Sequence, residues 1–155
     1  MSQWIPITKA TLYDTKLAAL IDAFDSVALG AGQRDRSTGI IQGVVDDIRR
    51  KVASCRQNSL DADLTRLPKG LKSIALTLIT AKLKIAIEQE LSEDERREVI
   101  TANANLNRVA SGEDVVDQPD NPVAAPMEPT FTPPSFGTRG VTLKARQFDD
   151  STQDG

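Results

Sequence analysis

The sequence predicts an all-α fold: a small bundle of about four helices followed by a long, extended, Pro-rich C-terminal tail. Three observations predict it. Apolar residues recur at helical spacing through successive segments between Leu17 and Val109. The stretch "SEDE", residues 92–95, is a capping box, in which Ser92 caps a helix and Glu95 reaches back. Pro119, Pro122, Pro126, Pro129, Pro133 and Pro134 follow the last helical stripe and hold most of the chain's 8 prolines.

The first helix is expected over residues 13–29, where Leu17, Leu20, Ile21 and Phe24 form one apolar stripe. "GAGQRDRSTG" then breaks the pattern. Gly30 and Gly32 make a turn there and not a phosphate loop, because no strand precedes them and no Gly-Lys-Ser/Thr follows. The second helix spans about residues 37–56. Ile41, Val44, Val45, Ile48, Val52 and Cys55 share a face, and Asp46, Asp47, Arg49, Arg50 and Lys51 occupy much of the rest. Ser37 or Thr38 serves as its N-cap. Cys55 reads as a core residue and not a reactive thiol.

A polar loop, "RQNSLDADLTRLPKG", is tacked to the core by Leu60, Leu64 and Leu67. Pro68 suits the first turn of a third helix over about residues 68–90, where its missing N–H is not needed. Leu71, Ile74, Ala75, Leu78, Ile79, Leu83, Ile85 and Ala86 cover more than a stripe, so this helix is expected to be the central one. Lys82 and Lys84 can extend their ends to water. The fourth helix begins at the capping box, with Glu93, Asp94 and Glu95 at its positive end. Val99, Ala102, Leu106 and Val109 make its stripe, and Gly112 stops it. Asn103 and Asn107, one turn apart, face either a partner or water.

Composition narrows the chemistry. The chain has 155 residues, 39% apolar and only 4% aromatic, which calls for an aliphatic core. It contains no histidine, the commonest general base and zinc ligand, and a single Cys55, so no internal disulfide can form. The acids stand in hydrophilic settings such as "EQELSEDERRE" that do not perturb carboxylates for catalysis. We therefore expect neither an enzyme nor a bound cofactor or metal. No apolar run approaches the roughly 20 residues of a membrane span, and "MSQWIPITK" does not open like a signal peptide. Residues 1–110 hold sixteen Lys/Arg against fourteen Asp/Glu, and residues 111–155 three against eight. That is not the broad basic footprint of a free nucleic-acid binder.

Residues 1–117 form the expected body and residues 118–155 the tail. The tail cannot bury a core of its own and should be extended, in part polyproline II. Yet it carries Phe131, Phe136 and Phe148, three of the chain's 4 phenylalanines. In "TRGVTLKARQF", Val141, Leu143 and Ala145 alternate with Thr142, Lys144 and Arg146 at the period of a strand. Such a strand can add to the edge of a partner's sheet. Phe131, Phe136, Val141, Leu143 and Phe148 are the expected partner-binding residues. The alternative is a solubilising appendage.

The order of "IIQGVVDDIRRKVASC", "LPKGLKSIALTLITAKL" and "SEDERREVITANANLNRVASGED" resembles the head–tail adaptor (connector, or head-completion) proteins of Mu-like long-tailed phages. The resemblance covers roughly residues 5–117, and Leu67-Pro68 and "NLNRVASGED" carry it most strongly. It implies a non-enzymatic virion protein at the neck, made in the host cytoplasm. Such proteins form a ring, usually of about twelve copies, beneath the portal. They join the portal to a stopper or tail terminator and surround the passing DNA, with the C-terminal segment gripping a neighbouring ring. Rival readings are another neck or packaging ring (stopper, tail terminator or small terminase subunit) or a DNA-binding regulator. The sole basic triplet, Arg49 to Lys51, is flanked by Asp46 and Asp47, which disfavours the DNA-contacting rivals.

Overall fold

A computed structural model of the chain describes residues 3–27 and 35–123. The body is mostly helical. Its elements are β1 (Trp4–Pro6), α1 (Lys9–Leu12), α2 (Ala18–Ser26), α3 (Arg36–Ser54), β2 (Arg66–Pro68), a 3-10 turn (Lys69–Leu71), α4 (Lys72–Ala86) and α5 (Glu93–Ser111). The turn expected at Gly30 and Gly32 lies outside the described residues.

The first expected helix, 13–29, is helical only over α2, and the short α1 stands ahead of that span. Residues 13–17 leave the helical path because the Thr15 hydroxyl binds backbone, donating to the Leu12 carbonyl and accepting from the Leu17 amide at 3.2 Å. The stripe is nonetheless as read, with Leu17, Ile21 and Phe24 buried. α1 has its own reciprocal cap between Thr8 and Thr11.

Ser37 and Thr38 do not cap α3. Asp35 holds the cap position, and Ser37, wholly buried, gives both its amide and its hydroxyl to Asp25 of α2, at 3.1 and 2.8 Å. A carboxylate from another helix thus occupies the positive end of α3. Cys55 is half-buried beyond the last turn of α3, with extended backbone, and is not in the core face.

Pro68 ends a strand instead of opening a helix. Its ψ of 134° is extended. β2 pairs antiparallel with β1, Trp4 opposite Pro68 and Ile5 opposite Leu67. This small sheet was absent from the all-α expectation. Both strands carry a proline at the C-terminal end, where a missing amide is tolerated. Of the leucines expected to tack the loop down, Leu67 is fully buried and Leu60 packs on the core, but Leu64 is 65% exposed.

The central helix is α3, not α4. It packs against α1, α2, α4, α5 and β2. Ile41, Val44, Val45, Ile48 and Val52 are all buried. The apolar residues of α4 divide between two faces. Ala75, Ile79 and Leu83 enter the core, while Leu78 is half-buried and Ile85 is 62% exposed. α4 stops at Ala86, and Glu88 then adopts a positive φ of 58°.

α5 begins and ends as expected. Ser92 and Glu95 form the reciprocal capping box, and Gly112 is left-handed at φ 83°. Ala102, Leu106 and Val109 face the core.

Arg49 holds the long loop to α3. It is only 5% exposed, and its guanidinium donates to the carbonyls of Asp61, Asp63 and Arg66 at 2.6, 3.0 and 2.9 Å. The same group lies over the Trp4 ring, 5.9 Å from its centroid. Burial pulls the Arg49 pKa below its ordinary value, against the opposing fields of Asp61, Asp46 and Asp63.

Candidate interaction surface

The expected partner-binding residues Phe131, Phe136, Val141, Leu143 and Phe148, and the strand-like 141–145, lie outside the described residues. What the structure fixes is where the chain leaves the body. The compact unit extends past residue 117: Val116 and Pro119 are buried, and the Trp4 indole donates to the Asp117 carbonyl at 2.7 Å. Gln118 donates to the Gln57 carbonyl at 3.2 Å. The Ala62 amide donates to Asn121, and the Val123 amide to Leu60, each at 2.8 Å. Residues 118–123 are therefore a strap laid along the 57–62 loop, continuing to the bridge of Asp61 with Pro122.

Two open grooves score the helical body. The first, about 490 Å³, runs between α3, α4 and α5. Val44, Leu78, Ile85, Val99 and Leu106 give it an apolar floor. Asp47, Arg50, Lys51 and Lys82 form its rim. Asp47 pairs with Arg50 and with Lys82, both at 3.0 Å, and Lys51 donates to Asn107 at 2.9 Å. All these rim groups are well exposed, where such pairs contribute about 0–1 kcal/mol and exchange readily. Asn103 lines the groove, while its side chain donates to the Val99 carbonyl at 2.9 Å.

The second groove, about 470 Å³, lies between α2, α4 and α5. Leu17, Leu20 and Leu76 contribute its apolar surface, and Lys84 paired with Glu95 lies at its edge. The Lys84 ammonium, then the Ser92 amide, hold the Glu95 carboxyl below its usual range. That interaction joins α4 to the capping box of α5, so the groove wall and the helix start share one carboxylate.

A further charged cluster ties α1, α2 and α3 together. Lys9 bridges Asp25 at 2.7 Å and Asp35 at 2.9 Å. Burial pushes the Asp25 carboxyl up, but hydrogen bonds from Lys9 and from both donors of Ser37 overcome it and leave it below the ordinary value. The bond to Asp25, then that to Asp35, raises the Lys9 pKa. Each charge is committed to the others, so the arrangement acts as a clamp between the three helices.

Among the described residues, no group of three or more His, Cys, Asp or Glu is placed to hold a metal ion. No described helix is long and apolar enough to cross a membrane. The chain matches no family model, no curated protein and no solved structure.

Sequence reading missed two residues that organise this surface. Arg49 was grouped with the charged face of α3, although it stands one turn after Val45 and next to Ile48, on the apolar side of the helix. That position was the available signal. Trp4, the chain's one tryptophan, is 1% exposed, and its weight in an aromatic-poor core was the other.

Proposed function

We propose that this chain is a structural subunit of a phage head–tail joint. In this reading its copies form a ring beneath the portal, around the DNA passage, and connect the portal to a stopper or tail terminator. The tail beyond residue 124 attaches the ring to its neighbour through Phe131, Phe136, Val141, Leu143 and Phe148. One structural observation carries the reading beside the sequence resemblance. The helical body leaves two apolar grooves open at its surface. A neighbouring subunit in a ring would cover such surface. The strap at 118–123 supports the same division of labour, because it anchors the root of the tail to the body.

The test is attachment to portal rings from the phage that encodes the chain. Full-length protein should co-sediment with them, and a chain ending at residue 124 should stay folded but fail to. Duplex DNA should bind no tighter than the non-specific range of about 10⁻⁴–10⁻⁶ M at physiological salt, because a passing genome must slide. Sequence-selective nanomolar binding would instead favour the terminase or regulator reading.

A further inference from the structure

Resting on the ring reading above, we propose that the α3–α4–α5 groove is the socket of the subunit contact. Its occupant is the acidic 113–120 segment of a second copy of this chain. The groove's rim sets three cations, Arg50, Lys51 and Lys82, against one anion, Asp47. The complementary feature lies on the same body. Val115 is 70% exposed just past the end of α5, and Glu113, Asp114, Asp117 and Asp120 surround it in sequence. Among the described residues only Arg108 pairs with any of them, with Glu113 at 3.4 Å and Asp114 at 3.1 Å. An apolar knob in an anionic collar thus answers an apolar floor with a cationic rim.

The two features occupy different faces. On α5, Asn103, Leu106 and Ala110 line the groove, whereas Asn105, Arg108 and Val109 lie on the side of Val115. No residue lines both. One copy can therefore offer its groove to one neighbour and its acidic segment to another. That is a heterologous, head-to-tail contact, the kind that closes into a ring when the rotation allows. Opposite charges at the margins set register and choice of face more than raw affinity. The weak pairs of Asp47 with Arg50 and Lys82 open at small cost to receive the incoming carboxylates.

Sedimentation velocity on the full-length chain tests the contact. Association should rise with protein concentration and weaken with added salt. The double variant Lys51→Glu/Lys82→Glu should weaken it by about tenfold or more, and so should Asp117→Lys/Asp120→Lys. Both pairs are exposed, and unchanged thermal melts would show that each variant is folded. Mixing the two variants should restore association, since each then presents the charge the other lacks. A chain that stays monomeric throughout, or a mixture no better than either variant alone, overturns the proposal. The portal arm separates it from the ring reading. If the charge variants join portal rings in normal number, this contact is wrong and the ring reading stands. If the contact behaves as proposed but the wild-type chain ignores portals, the ring reading falls alone.

Discussion

The Arg49 guanidinium and the Asp61 main-chain carbonyl meet at 2.6 Å, with the two residues only 5% and 1% exposed. A cation from the central helix is thus buried to satisfy carbonyls of a loop that has little regular structure of its own. Asp61 turns its Oδ1 to the Asp63 amide at 2.9 Å, and its other carboxylate oxygen has no hydrogen-bond donor among the described residues. The local charge balance therefore depends on Arg49.

Replacing Arg49 should be costly. Arg49→Met strands the buried Asp61 carbonyl and the part-buried carbonyls of Asp63 and Arg66, and a loss of about 2–4 kcal/mol is expected. Arg49→Lys should recover only part, since a point charge cannot reproduce the fork. Urea denaturation of both variants checks this, and a shift under about 1 kcal/mol for Arg49→Met would remove the hub from the account.

The body should end near residue 124. A chain stopped at 117 loses the contacts of Gln118, Pro119, Asn121 and Val123 with the 57–62 loop and core. It should be less stable than one stopped at 124 by about 2–4 kcal/mol, at 0.5–1.5 for each hydrogen bond plus the burial of Pro119. Equal denaturation midpoints would return the boundary to 117.

Acid should loosen the clamp between α2 and α3. The folded Asp25 pKa lies below the ordinary carboxylate value, so its contribution is complete above about pH 4 and is lost as pH falls through the folded value. Lys9 has the opposite sign: its folded pKa is raised, so its contribution is full below about pH 10 and disappears only at higher pH. Between these limits the clamp is insensitive to pH. Melting temperature followed from pH 2 to 6 should fall less steeply in Asp25→Asn than in the parent, and parallel curves would count against it.

Core and groove should respond differently to the same insertion of charge. Ile48→Asp places a carboxylate at a site with no exposure, on the helix that packs against α1, α2, α4, α5 and β2, and should unfold the body. Leu78→Asp, at the half-buried groove floor, should leave a folded protein with weakened association. Circular dichroism separates the two cases. An unfolded Leu78→Asp would mean that the floor is core and not interface.

Sequence legibility followed the range of the interactions. The α5 start was readable because Ser92 and Glu95 are three residues apart and satisfy each other. Gly112 was readable because a left-handed stop favours glycine. The apolar stripes of α2, α3 and α5 were readable because spacing alone selects a buried face. What was hidden depends on distant partners. Ser37 looks like a cap until Asp25, twelve residues earlier, takes its hydroxyl. Pro68 looks like a helix opener until Trp4 pairs with it. Leu78 and Leu83 look equivalent on a helix with two apolar faces, and only the positions of α3 and α5 decide which is core. The grooves were not legible at all, because a gap between helices has no residue pattern of its own.

The most direct test of the proposed role is cryo-electron microscopy of the full-length chain mixed with portal rings, the partner proposed above. A closed ring of helical bodies coaxial with the portal is expected, the α3–α4–α5 groove of each copy covered by Val115 and the exposed acidic side chains beside it from the next, with density beyond residue 124 reaching the portal. Portal rings that stay bare at saturating protein, or the chain found only as isolated copies, would contradict it.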